Sequence, residues 1–136
     1  MFLYTFDPGR VTGISIWSCY GELLFADSVN IDVLVRWLRK QDRDTLDATA
    51  VVEIPNHLKE SLDNVIKCAV RAGEIGGFFS STKYITPLDW KRNLPKAVSE
   101  RRSRSRLTAT ETSRVLGKDN NCWDAIGIGL WHWKRD

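Results

Sequence analysis

Two apolar runs in this chain each end on a carboxylate and then on a proline. Phe2-Leu3-Tyr4-Thr5-Phe6 closes on Asp7, followed by Pro8-Gly9. Thr49-Ala50-Val51-Val52 closes on Glu53, followed by Ile54-Pro55. Runs of β-branched and aromatic residues stopped by turn formers read as buried strands. An ionised carboxylate at the end of such a strand is costly unless something compensates it. A metal ion would do so. Asp7 can also cap its own turn, as Asp before Pro-Gly often does. Glu53 can be a solvated strand-end charge, although Val51, Val52 and Ile54 around it read as buried. Both readings stay open on these stretches alone.

The remaining punctuation gives an element order. Val11 to Ser18 returns as a second strand, Tyr20-Gly21-Glu22 turns, and Leu23 to Ala26 makes a third. Short turns between them imply an antiparallel meander. Asp32 to Lys40 carries Val33, Leu34, Trp37 and Leu38 at helical spacing, with Asn30 or Asp32 as a start signal. The run around Val51 is a fourth strand, and its continuous apolar character suits a parallel position. Leu58 to Phe79 reads as a long helix on the recurrence of Leu62, Ile66, Ala69 or Val70, and Gly73 or Ile75. Ala72-Gly73 and Gly76-Gly77 either admit a close neighbour or only loosen the helix end. Lys83 to Thr86 is a fifth strand, Thr108 to Leu116 a helix ending at Gly117, and Trp123 to Trp133 a last helix capped by Asn120 or Asn121. Three antiparallel strands followed by α/β units predict an α/β fold: a five-stranded mixed sheet with helices on both faces.

Composition narrows the chemistry. A chain of 136 residues is the length of one domain. No apolar run approaches the roughly 18 residues of a membrane span. A strand beginning at Phe2 leaves no room for a signal peptide before it. Cys19, Cys68 and Cys122 lack CxxC spacing, which fits a reducing intracellular compartment better than a disulfide framework or zinc ribbon. With only His57 and His132 available, a metal would be held by oxygen, which favours Mg²⁺ or Mn²⁺. The formal net charge is only +3, but Lys91, Arg92, Lys96, Arg101, Arg102, Arg104 and Arg106 face a single acid, Glu100, between positions 91 and 106. Such a block reads as a polyanion-binding face or as a solvated helix face.

A third carboxylate, Asp124, falls in the first turn of the last helix. Acids are favoured there by the helix dipole in any case. The small residues Ala125, Gly127 and Gly129 let that helix lie close on a sheet, which would carry Asp124 to the edge that Asp7 and Glu53 share if their strands are parallel neighbours. Asp119 and Asn121 are nearby oxygen ligands, or caps. Carboxylates converging on one sheet edge suit two-metal phosphodiester hydrolysis. Neither a Ser-His-Asp nor a Cys-His arrangement competes.

Phe6-Asp7-Pro8-Gly9 with Thr12-Gly13, Val52-Glu53, and Asp124-Ala125-Ile126-Gly127-Ile128-Gly129-Leu130 together resemble the RuvC-type Holliday junction resolvases of the RNase H-like (retroviral integrase) superfamily. Thr86-Pro87-Leu88-Asp89-Trp90-Lys91 with Leu94-Pro95-Lys96 is similar to compact phage or bacterial members. The resemblance implies a single RNase H-like domain over residues 1–136, Mg²⁺-dependent endonuclease activity with Mn²⁺ as substitute, and a homodimer. It further implies symmetric nicking of four-way DNA junctions in the cytoplasm of a bacterial or phage-infected cell. Asp7, Glu53 and Asp124 match the family's acidic ligands. The fourth ligand, often Asp or His three residues before the last Asp, is Asn121 here. Either Asn121 serves as a weaker ligand, or Asp119 substitutes, or only one metal binds tightly. Lys91, Arg92, Lys96 and the arginines at 101, 102, 104 and 106 would contact phosphates. Trp90, Trp123, Trp131 and Trp133 would stack on bases or pack in the core and dimer.

Three other functions share some of these features. One is a ribonuclease H or flap nuclease on the same scaffold, distinguished by substrate. Another is a non-catalytic junction-binding protein. The third is an actin-like nucleotide-binding domain, which would need a second such unit.

Overall fold

The Pro8-Gly9 turn folds Leu3–Asp7 (β1) back on Val11–Trp17 (β2) as an antiparallel pair in which Asp7 faces Gly13. Thr12 holds the turn closed, its hydroxyl donating to the Gly9 carbonyl at 2.9 Å. This computed structural model describes residues 1–55, 61–119 and 121–136. Leu23–Asn30 (β3) adds to β2 antiparallel. Thr49–Glu53 (β4) joins the other side of β1 in parallel, and Ser81–Ile85 (β5) extends it in parallel. The order β3-β2-β1-β4-β5 is the expected five-stranded mixed sheet.

Strand periodicity sorts the core into two layers. Tyr4, Phe6, Ala50 and Val52 point to one face and pack with Ile31–Lys40 (α1) and Leu62–Gly76 (α3). Leu3, Val51 and Ile85 point to the other and pack with Cys122–His132 (α7). Successive side chains alternate across a strand, so Asp7 is in phase with Leu3 and Glu53 with Val51. Both carboxylates therefore belong to the α7 face.

Two helix faces differ from the expected ones. On α1 the buried stripe is Ile31, Leu34, Val35 and Leu38, while Val33 and Trp37 stand outward. On α3 the residues that carried the helical pattern are the exposed ones: Leu62, Ile66 and Val70 are 71%, 52% and 63% exposed, and Ala72, Ile75 and Gly76 are buried instead. Apolar spacing marks a face without saying what covers it. Of the paired glycines, Gly76 is the close approach, because a Cβ there would meet the Tyr84 and Thr82 side chains; Gly73 is open. The basic segment forms a helix, Lys96–Arg106 (α5), against α7 through Ser99 and Ser103. Its charged surface carries no apolar stripe to betray the period. The sequence pattern predicts Ala109–Val115 (α6) but not the short helices Arg43–Leu46 (α2) and Pro87–Trp90 (α4). His57, the expected helix start at Leu58, and Asn120 lie outside the described residues. Among the described residues no helix is long and apolar enough to cross a membrane.

One buried acid ties the sequence-distant parts together. Glu111 of α6 is 1% exposed. It accepts from the backbone N–H groups of Leu23 and Thr108 at 2.6 and 2.9 Å, and from both terminal nitrogens of Arg135 at 2.9 and 2.7 Å. The Arg135 guanidinium also donates to the Gly21 and Arg106 carbonyls. Burial pushes the Glu111 carboxyl up, but the Arg135 and backbone donors outweigh it and hold its pKa at about 2.

Candidate metal centre

Asp7 ends β1 and Glu53 ends β4, each one residue beyond the paired Phe6 and Val52, and α7 brings Asp124 to both. The approach of α7 is set by small residues and buried hydroxyls. A Cβ on Gly13 would strike the Asn121 carbonyl, one on Gly129 the Trp17 ring, and one on Gly127 the Trp90 ring. These glycines let the helix sit on the sheet where a larger residue would lift it. Thr5 and Ser15, from β1 and β2, both donate to the Ala125 carbonyl, at 2.6 and 3.0 Å. The Trp17 indole N–H donates to Ser15 in turn. The residue next to Asp124 is thus fixed to the strand that carries Asp7. Thr12 and Gly13, noticed in the sequence only as a motif, have separate tasks: one closes the turn and the other makes room for α7.

One oxygen from each of Asp7, Glu53 and Asp124 lies within 4.8 Å of the others. Glu53 is buried and the other two are half-buried. They line a cavity of about 330 Å³ together with Lys91 and Arg92. The Lys91 ammonium reaches Asp124 at 3.2 Å. The Trp90 indole N–H donates to the Glu53 carboxylate. Burial pushes the Asp7 carboxyl well above its ordinary value, and the charges of Glu53 and Asp124 push it further, against Lys91. Burial also raises Glu53, opposed by the Trp90 N–H and Lys91. Three carboxylates with one ammonium among them are under-compensated, and a divalent cation relieves that arrangement. All-oxygen ligands suit Mg²⁺ or Mn²⁺.

Asp119 and Asn121 are placed differently. The Asp119 carboxylate accepts from the Ser28 hydroxyl and the Asn121 backbone N–H, and these bonds lower its pKa. The Asn121 side chain also bonds to Asp119. Asn121 is the N-cap residue of α7 without a side-chain cap bond. The basic residues also divide. Lys91 and Arg92 line the carboxylate cavity, and Arg102 lines an adjoining groove. Lys96, Arg101 and Arg106 are exposed on α5. Arg104 is engaged, paired with Glu100 at 3.0 Å and lying 4.1 Å over the Trp123 ring. Trp90 and Trp123 are core residues, 8% and 3% exposed. The bond from Trp90 to Glu53 was not anticipated. Its sequence signal was proximity: Trp90 adjoins Lys91 in the stretch already singled out.

The fold has a counterpart among solved structures. T. thermophilus RuvC in complex with Holliday junction substrate superimposes with a TM-score of 0.67, over 98% of this chain and 92% of that one, at 18% identity. The chain has the RuvC-type RNase H-like fold. No protein-family model matches the sequence, and no curated protein matches it. The likeness of shape agrees with the resemblance carried by the short motifs around Asp7, Glu53 and Asp124.

Proposed function

We propose that this chain is a metal-dependent, structure-selective endodeoxyribonuclease that resolves four-way DNA junctions by paired nicks, acting as a homodimer. The observation that carries this reading is the gathering of Asp7, Glu53 and Asp124 within 4.8 Å on one sheet edge, with Lys91 against them. The likeness to a RuvC bound to a Holliday junction supports the choice of branched DNA.

In this reading Asp7, Glu53 and Asp124 are the catalytic ligands. Bound Mg²⁺, or Mn²⁺ in its place, supplies an activated water and neutralises phosphate charge. Trp90 holds one Glu53 oxygen so that the carboxylate keeps its orientation. Lys91 sits within reach of both Asp124 and an incoming phosphate, and Arg92 stands at the cavity wall to receive the adjacent one. Lys96, Arg101, Arg102 and Arg106 add affinity without sequence choice. Arg104 serves the fold through Trp123. Asp119 is bonded to Ser28 and to Asn121, which favours one tightly held cation over two.

Dimerisation has its own support. Leu62, Ile66 and Val70 recur every fourth residue on α3 and stand more than half exposed. A continuous apolar helix stripe facing water is the mark of an unmet partner, and two copies would bury it about a two-fold axis.

The test is cleavage of a labelled synthetic four-way junction in Mg²⁺, beside duplex, flap and RNA–DNA hybrid controls of the same sequence. Paired symmetric nicks on the junction alone are expected. Cutting of flap or hybrid in its place would retain the metal centre and change the substrate. Binding without cutting in either Mg²⁺ or Mn²⁺ would make the chain a junction-binding protein.

A further inference from the structure

The carboxylate cavity adjoins a second, larger one. A groove of about 920 Å³ runs between β5, the turn after α4, α5 and the end of α7, and shares Lys91, Arg92 and Leu94 with the metal centre. Its other basic walls are Lys83 on β5, Arg102 on α5 and Lys134 beyond α7. Two acids line it, Asp89 and Asp136. The Asp89 carboxylate is spent on its own helix, accepting from the Thr86 backbone N–H at 2.7 Å and from the Thr86 hydroxyl. Lys83, Lys91, Arg92, Arg102 and Lys134 outnumber these two carboxylates, so the groove is cationic on balance.

The backbone singles out the same groove. Arg92 and Lys134 both have φ of 55°, and among the described residues they are the two non-glycine positions at positive φ. Each stops a helix. Lys134 closes α7 in the arrangement in which its own N–H donates to the Trp131 carbonyl and the next N–H, of Arg135, donates to the Leu130 carbonyl. Arg92 closes α4 by donating to the Pro87 carbonyl. Glycine is the usual residue at such a stop, because L side chains avoid this conformation. Here both stops carry a long cation, and both cations line one groove. Strain is retained where the side chain has work at that place.

From these observations we infer that the groove walled by Lys83, Arg92, Arg102 and Lys134 is a second nucleic-acid site, carrying the phosphate backbone of one strand onward from the metal centre. The inference rests on the nuclease reading above. A cationic groove that tracks a backbone is the common means of holding a single strand. Two of its four residues, Lys83 and Lys134, lie outside the basic block that the sequence displays, and the fold brings them to it.

The test is the salt dependence of binding, measured by fluorescence anisotropy on the full chain carrying Asp7→Asn to prevent cutting. The probes are a labelled single-stranded oligodeoxynucleotide and a labelled four-way junction. On the single strand each lost phosphate contact lowers the slope of log K against log salt by about 0.7. The pair Lys83→Gln with Lys134→Gln is expected to lower it by about 1.4, whereas Lys40→Gln on α1 leaves it unchanged. Lys134→Gly removes the charge and the strain together, so it is expected to raise Tm and lower the slope by about 0.7. An unchanged slope in the double variant, or a raised Tm with an unchanged slope in Lys134→Gly, would overturn the groove. Junction cutting by the wild type with an unchanged slope in the variants would leave the nuclease reading standing and the groove refuted. A lowered slope without junction cutting by the wild type would do the reverse. No binding of either probe would refute both.

Discussion

The molecule buries carboxylates in two places and treats them in opposite ways. Glu111 is saturated: two backbone N–H groups and both arms of Arg135 meet its two oxygens. Asp7 and Glu53 crowd each other and Asp124, with one indole N–H and one ammonium between the three. The first acid is held at about pKa 2, and the second pair is pushed up by burial. The supply of donors, and not burial alone, separates the satisfied acid from the unsatisfied ones. A fold can satisfy a buried charge with its own hydrogen bonds, as at Glu111. Where it leaves several charges unsatisfied beside a cavity, the missing partner comes from outside.

The contrast is broken most severely at Asp7. Asp7→Asn is expected to abolish junction cleavage, by about three orders of magnitude or more if a metal contributes several kcal/mol of charge stabilisation. The same change is expected to leave junction binding intact and Tm equal or higher, since it removes a repelled charge. Cleavage assays beside thermal melts check both; retained cutting would sink the metal-centre assignment. Glu111→Gln should behave in the opposite way. It leaves Arg135 facing a neutral amide, and breaking a buried pair costs about 3 kcal/mol. Tm is expected to fall on the order of 10 °C, with cleavage retained below the melt.

The two places should also titrate with opposite sign. The folded pKa of Glu111 is depressed to about 2 from its usual 4.5. Its contribution is present above pH 4.5 and is lost as pH falls toward 2, worth about 3 kcal/mol in all. Asp7 and Glu53 are raised in the folded state, so their contribution is fully present below the ordinary carboxylate range and is lost as pH rises through the raised values. Denaturant melts across pH, with and without Mg²⁺, separate them. Mg²⁺ is expected to offset the loss on the alkaline side and to do nothing for the loss on the acid side. An equal Mg²⁺ effect on both limbs would mean that the ion does not bind at the three carboxylates.

Much of this arrangement was legible before the fold was known, and the reason is local. Apolar runs ending at Asp7 and Glu53, small residues after Asp124 and the Pro8-Gly9 turn are all contiguous signals, and strand order follows from them. What was not legible depended on pairing across the chain. Nothing near Glu111 announces Arg135, which is 24 residues away. Leu62, Ile66 and Val70 have the spacing of a core face, and only the placement of α3 turns them outward. Lys83 and Lys134 are isolated lysines in the sequence and become part of a groove only when β5 and the end of α7 meet. Asp119 and Asn121 were legible as oxygen donors, but the Ser28 hydroxyl that engages Asp119 comes from β3.

The finest test of the contrast is Trp90, which supplies the three-carboxylate site with the sort of donor that Glu111 has in abundance. Trp90→Phe removes the N–H from Glu53 while leaving an aromatic ring over Gly127. Partners that orient a ligand typically contribute 10–100-fold in metal affinity or activity. The Mg²⁺ concentration for half-maximal cleavage is expected to rise by about that factor, with the maximal rate largely recovered at saturating Mg²⁺. Such a split is what an orienting bond produces, because the ligand is still present and only its alignment is lost. If the maximal rate fell and the Mg²⁺ requirement did not move, Trp90 would act by packing α7 through Gly127, and the donor to Glu53 would be incidental. Trp90→His, which can restore an N–H to that side of Glu53, would then fail to improve on Trp90→Phe.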